Sequence, residues 1–164
     1  MGKFLKIAGI GVGVVVVGVA GLLTALSLKK PAMRPASTET VEKTPERVAR
    51  GKYLVHHVAE CVGCHSDRIV ERYGMPLTPG REGVGGFQFD EKIGFPGVVR
   101  AQNITSDKET GLGAWTDGEV LRAFREGIDR TGRPLFPMMP YPYYRSMSDE
   151  DARSVVAYLR TLPP

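Results

Sequence analysis

Five consecutive residues, Cys61-Val62-Gly63-Cys64-His65, contain both cysteines of the chain, three positions apart, with a histidine directly after the second. Three chemistries use residues of these types at this spacing. A dithiol redox pair of the thioredoxin kind sits beside a βαβ pattern, and no such pattern flanks the motif. A zinc site takes four ligands in a tetrahedron. Adjacent Cys64 and His65 rarely both reach one ion, and no second cysteine pair exists. Covalent attachment of haem accounts for all five residues. Two thiols one turn apart match two vinyl groups on one edge of a porphyrin, with Val62 and Gly63 as small spacers. His65 then lies under the ring and can ligate iron. C-x-x-C-H is the sequence signal for this attachment. One motif and two cysteines predict one covalently bound haem c.

Iron needs a ligand on the face opposite His65. His56 and His57 lie on the segment leading into the motif, on the same side, and read as surface or packing residues. Methionine is the other common ligand, and His/Met ligation raises the reduction potential. Met75, Met138, Met139 and Met147 follow the motif. Met147 precedes the last expected helix and reads as a core residue. The prolines of "PMMPY" predict an extended loop in which Met138 and Met139 point opposite ways, so that one of them can face the haem.

These residues must be positioned by the elements around them. Thr44 and Pro45 read as N-cap and first residue of a helix. Its apolar positions Val48, Leu54, Val55, Val58 and Ala59 run into Cys61. Thr116 to Glu119 forms a T-x-x-E capping box, opening a helix with Val120, Leu121, Phe124 and Ile128 on one face. Ser148 caps the last helix, where Asp149, Glu150 and Asp151 occupy the positive first turn. Ala152, Val155, Val156, Leu159 and Leu162 form its inner face. Between these helices the chain is rich in Gly and Pro, with a short hairpin expected around Phe87 and Phe89. Loops of such length inside a compact domain require an organiser, and a planar apolar cofactor would be one.

The charge distribution separates the two ends of the chain. Of the 22 Lys and Arg, Lys3, Lys6, Lys29 and Lys30 flank an uncharged run from Ile7 to Leu28; residues 31 to 164 hold 18 basic and 18 acidic residues. The net charge of +4 therefore belongs to the N-terminal segment, and the balanced domain gives no footprint for nucleic acid. As a helix the 22-residue run spans about 33 Å, enough to cross a hydrocarbon core of about 30 Å. It is long for a secretory signal, so residues 1–28 are expected to be a membrane anchor, with cleavage after Ala20 or Ser27 as the alternative. Residues 29–43, "KKPAMRPASTETVEK" from Lys29, read as a flexible linker, and 44–164 as the haem domain. Haem attachment occurs outside the bacterial cytoplasmic membrane, which places that domain on the periplasmic face of a single-pass inner-membrane protein.

The blocks "GKYL" before "CVGCH", "NITSDKETGLGAWTDGEVLRAFREGID", "PMMPYPYY" and "SMSDEDARSVVAYLRTLPP" cover Arg50 to Pro164. Together they resemble class I c-type cytochromes, most closely the haem domains of membrane-bound cytochrome subunits serving bacterial alcohol, aldehyde and gluconate dehydrogenases. Those subunits usually carry three haem motifs, and this chain carries one. The resemblance implies a mainly α fold, with helices around one haem, and an electron carrier rather than an enzyme. Its partners would be redox proteins or oxidoreductase subunits. It selects Met139 as the sixth ligand, because the family places that ligand immediately before Pro-Tyr. It also implies that Gly51 and Leu54 cross the last helix near Val155 and Tyr158. Trp115 is expected either to donate its indole N–H to a haem propionate or to serve as core. Tyr141, Tyr143 and Tyr144 are expected at the haem rim. The alternatives are a permanent subunit of a larger oxidoreductase and a small-molecule-binding haem sensor or enzyme.

Overall fold

Thr44, Thr116 and Ser148 open the three principal helices of the domain, each by accepting a hydrogen bond from a backbone N–H three residues on, at 3.3, 3.2 and 3.1 Å. The computed structural model describes residues 2–164; Met1, where the expected 1–28 segment begins, lies outside them. In chain order the elements are helix α1 (Gly2–Leu28), α2 (Pro45–His57), the short α3 (Cys61–His65), strands β1 (Gln88–Phe89) and β2 (Val99–Arg100), and helices α4 (Asp117–Glu126), α5 (Tyr141–Tyr144) and α6 (Asp149–Leu159). The chain divides into two units, the first ending at Ala32 and the second running from Met33 to Pro164.

In the first unit, α1 is 27 residues long, about 40 Å of helix. It is long and apolar enough to cross a membrane.

The second unit is built on the crossing of α2 and α6. Gly51 is buried in α2, and a Cβ there would fall on the Ser154 carbonyl oxygen and 2.7 Å from Cβ of Tyr158. The absent side chain lets the two backbones touch. Leu54, Val55, Val155 and Val156 then close the core around the contact at 2% exposure or less, worth about 2 kcal/mol each in apolar burial. The inner faces expected for α4 and α6 are all buried. The Thr116–Glu119 capping box forms in full, and Gly127 ends α4 in the left-handed conformation. The short hairpin pairs Gln88 with Arg100 and Phe89 with Val99, antiparallel, and the rings of Phe87 and Phe89 meet edge to face at 4.9 Å.

Two expectations need correction. First, α2 does not continue into the cysteine motif. It stops at His57, the N–H groups of Val58 and Ala59 both return to the Leu54 carbonyl, and Glu60 turns the chain through a left-handed conformation (φ 51°) before α3 starts. Val58 is consequently exposed at 53%, while Ala59 is buried. Second, the stretch 29–43 is not a free linker beyond Ala32, because the second unit begins at Met33. Val41 is buried, and its N–H donates to Oδ2 of Asp117 at 2.8 Å. The Ser37 backbone lies directly against Gly118, whose Cβ would strike the Ser37 carbonyl. Arg153 bonds Glu39 at 2.9 Å. A polar composition suggested solvation, but Val41 and these paired charges fasten residues 33–43 to the domain as a strap.

The backbone contact at Gly51 gives a direct prediction. In an exposed helix, Gly→Ala stabilises by about 1 kcal/mol. Gly51→Ala should instead destabilise by about 3 kcal/mol, because overpacking forces α2 off α6. Urea denaturation reads the sign, and a neutral or stabilising result would contradict the crossing.

Candidate functional site

The motif Cys61–His65 forms one short helix, with the Gly63 N–H bonded to the Glu60 carbonyl at 2.9 Å. Both cysteines are free; Cys61 is half-buried and Cys64 exposed. Cys61 packs on the core, and burial pushes its thiol up to about 12. Arg68 closes the far side of the turn, donating from Nε to the Gly63 carbonyl and from Nη1 to the Met75 carbonyl, both at 2.8 Å.

His65 is half-buried and held by backbone. Its Nδ1 lies 2.7 Å from the Gln102 carbonyl oxygen. A carbonyl only accepts, so Nδ1 carries the proton and neutral His65 presents an unprotonated Nε2. Burial lowers the imidazole pKa, and the Gln102 bond partly opposes that shift. The neutral ring is thus favoured, with its nitrogen lone pair available for a metal. The Gln102 carbonyl is in turn fixed from behind. Gly85 adopts φ +74°, donates its N–H to the His65 carbonyl at 2.8 Å, and would place a Cβ 2.6 Å from the Gln102 carbonyl carbon. The neighbouring Ser66 is fully buried and accepts the Gly83 N–H at 3.0 Å.

The loop carrying Asn103 to Gly113 bonds to itself. Asn103 Oδ1 accepts the N–H and hydroxyl of Thr105 at 2.8 and 2.7 Å, and Asp107 Oδ1 accepts the Thr110 N–H at 2.6 Å. Arg160 ties this segment to α6: it donates from Nε to Asp117 at 2.8 Å and from Nη2 to the Trp115 carbonyl at 2.6 Å. Trp115 is half-buried against the core, and among the described residues its indole N–H has no hydrogen-bond partner.

Of the four downstream methionines, Met139 and Met147 pack on the core. Met138 is half-buried, and Met75 is 40% exposed at the surface with φ 44°. The loop holding Met138 and Met139 is not extended. The Met139 N–H turns back to the Phe136 carbonyl at 3.2 Å, and the Tyr141 N–H to the Met139 carbonyl at 2.8 Å. The prolines fix φ, yet the chain closes a turn leading into α5, so strand-like alternation does not apply there. Tyr144 on α5 donates its hydroxyl to the Ala59 carbonyl at 2.6 Å and stacks on Phe124 at 4.6 Å. Burial holds its phenol well above the usual range, and the neighbouring Cys61 and Cys64 thiols add to that shift. One residue therefore joins the methionine turn to the cysteine motif. Tyr141 packs on Gly127, whereas Tyr143 is 79% exposed, so the three tyrosines do not form one wall.

His56 is engaged elsewhere: its Nε2 lies 3.0 Å from Glu82 and 3.1 Å from the Tyr158 hydroxyl. His57 is exposed, with its ring tilted at 5.5 Å from Tyr53. Sequence reasoning did not single out Gln102 or Gly85. A backbone carbonyl has no side-chain signature, and the available hint was the glycine-rich "EGVGG".

The donor set fits a covalently held haem. It offers two free thiols on one helical turn, an imidazole anchored through Nδ1, and a thioether-bearing turn tied by Tyr144 to Ala59, just before that helix. Comparison with known proteins gives the family. The family model for cytochrome c matches residues 48–163. The gluconate 2-dehydrogenase cytochrome c subunit of Pantoea cypripedii is 37% identical over 68% of this chain and 22% of its own length. The fructose dehydrogenase cytochrome subunit of Gluconobacter japonicus is 32% identical over 85% of this chain and 26% of its own. The cytochrome c subunit of the quinone alcohol dehydrogenase of Gluconobacter oxydans is 32% identical over 68% and 20%. These alignments span about a fifth to a quarter of each relative.

Gly85 and Gly86 both have positive φ, but a Cβ at Gly86 meets nothing within 4 Å. Gly86→Ala should cost only backbone strain, about 1 to 2 kcal/mol. Gly85→Ala should cost about 2 kcal/mol more, through overpacking against Gln102, and should weaken protection of the His65 Nδ1 proton in NMR. Equal costs for the two variants would refute the role assigned to Gly85.

Proposed function

The chain belongs to the cytochrome c family, and on that premise we propose that it is a membrane-anchored, single-haem electron carrier with the haem bound through Cys61 and Cys64 and ligated by His65 and Met139. The observation that carries the reading is the His65 ring, fixed by the Gln102 carbonyl at 2.7 Å beside two free thiols. Haem c, when bound, supplies reversible one-electron exchange between ferric and ferrous iron.

The residues of this chain set the terms of that exchange. Cys61 and Cys64 hold the porphyrin edge, and the 164 residues contain thiols for one such attachment. His65 offers Nε2, with its orientation set by Gln102. Met139 offers a soft thioether, which favours the ferrous state and raises the potential. Its packing on the core and the Tyr144 bond to Ala59, just before α3, support it over exposed Met75. Trp115 has a free indole N–H suited to a propionate. His65 and Met139 would together hold the iron and leave it no place for a substrate, so the chain would transfer electrons rather than act as a catalytic subunit.

The resemblance to cytochrome subunits of gluconate, fructose and alcohol dehydrogenases favours one further reading, a permanent subunit of an oxidoreductase. In either case α1 would act as the anchor, with the haem domain on the periplasmic side of the bacterial inner membrane. Purification in mild detergent distinguishes the two: co-purifying subunits indicate the complex, and a lone chain indicates the free carrier.

Two predictions follow from the ligand assignment and the anchor. Met139→Ala should keep haem attached, abolish the sulfur–iron band in the visible spectrum, admit imidazole or carbon monoxide, and lower the potential. Met138→Ala should keep the band. The reverse pattern would move the assignment to Met138, and a band retained in both would exclude this turn. The mature protein should sediment with membranes and retain residues before Leu28 by intact mass. A mature N-terminus at or near Leu28 would make the segment a cleaved signal.

A further inference from the structure

The strap, α4 and the start of α6 border a half-open cavity of about 480 Å³ that the haem reading does not use. Five arginines line it: Arg34, Arg122, Arg125, Arg145 and Arg153. The carboxylates on its lining are Glu39, Glu126 and Asp149. Each is already paired, Glu39 with Arg153 at 2.9 Å, Glu126 with Arg34 at 3.4 Å and Asp149 with Arg125 at 2.5 Å. Arg125 holds the Asp149 carboxyl below its ordinary range. Two guanidinium groups, Arg122 and Arg145, are left without a carboxylate.

Those two groups differ in what they still lack. Arg122 bonds the backbone carbonyls of Asp129 at 2.7 Å and Arg34 at 3.4 Å. Its Nε–H is shielded from solvent and has no partner among the described residues. Shielded donors of this kind are rare and normally answered by an ion, a water or a ligand. Arg145 is exposed, and among the described residues its guanidinium makes no hydrogen bond or ion pair. The strap backbone rests on Gly118 of α4 with no room for a side chain.

We propose that this cavity binds a phosphate group. Its lining carries an excess of two positive charges. A phosphate bears about one and a half to two negative charges as a monoester at neutral pH, and guanidinium forks match its oxygens in pairs. The phosphate could come from free phosphate or from an anionic lipid headgroup, since Arg34 follows the last residue of α1 by six positions.

The test uses the full haem-loaded chain in a neutral detergent, titrated calorimetrically with inorganic phosphate and, separately, with dihexanoyl phosphatidylglycerol. Chloride at matched ionic strength is the control. Either probe should bind with a Kd below about 1 mM, and Arg145→Gln should weaken it at least tenfold. Arg145 has no partner to lose, so that variant should keep its fold and visible spectrum; Arg122→Gln should weaken binding similarly. Binding of both probes identifies a general phosphate site, and binding of the lipid alone identifies the headgroup as the source. Absence of binding to both, or unchanged affinity in Arg145→Gln, would overturn the proposal.

Discussion

The contact of two backbones at Gly51 governs the arrangement of the rest of the domain. Because α2 carries no side chain there, the Ser154 carbonyl and the Tyr158 Cβ approach to a distance no other residue permits. That approach fixes Tyr158 so that its hydroxyl reaches Glu82 at 2.7 Å and lies beside His56. Glu82 leads directly into Gly83, which bonds Ser66, and Gly85, which bonds His65. A helix crossing is thus transmitted through three residues of one loop to the imidazole that would face the haem.

The candidate site is assembled largely by backbone groups. The Gln102 carbonyl orients His65, the Ala59 carbonyl receives Tyr144, and the Trp115 carbonyl receives Arg160. This arrangement follows from the length of the loops. Buried backbone polar groups must be paired, and loops without regular structure obtain those partners from each other and from long side chains. The same bonds that satisfy the loops therefore determine where the chemistry-bearing side chains sit. Tyr144 illustrates the coupling, since its hydroxyl satisfies Ala59, just before the cysteine helix, while its ring stacks on Phe124 of α4.

The strap adds a second layer of constraint at the far side of α4. Asp117 accepts the Val41 N–H with one oxygen and Arg160 with the other, at 2.8 Å each. Both side chains of that ion pair are less than a fifth exposed. A half-buried pair in which each nitrogen and oxygen has a partner resists disruption, because removal of one residue strands the other charge. Strap, α4, α6 and the Trp115 segment are therefore held at a single junction, next to a cavity whose charge is unbalanced.

The sequence by itself determined the C-x-x-C-H motif, the three helix starts and the buried faces of α4 and α6, while the Gly51 crossing was implied only by the family resemblance. The first three are local matters. A Thr or Ser cap, a capping box, a 3.6-residue apolar period and a C-x-x-C-H turn are complete within a few consecutive residues. Tertiary structure decided what depended on partners distant in sequence. The docking of residues 33–43 and the divergence of Tyr141, Tyr143 and Tyr144 arise from contacts across the fold, whereas the end of α2 and the turn at Met139 are closed by local backbone bonds that no side-chain pattern announces. The Gln102 carbonyl is the clearest case. Every residue has a carbonyl, so no pattern of side chains could single out the one, 37 positions away from His65, that holds its ring.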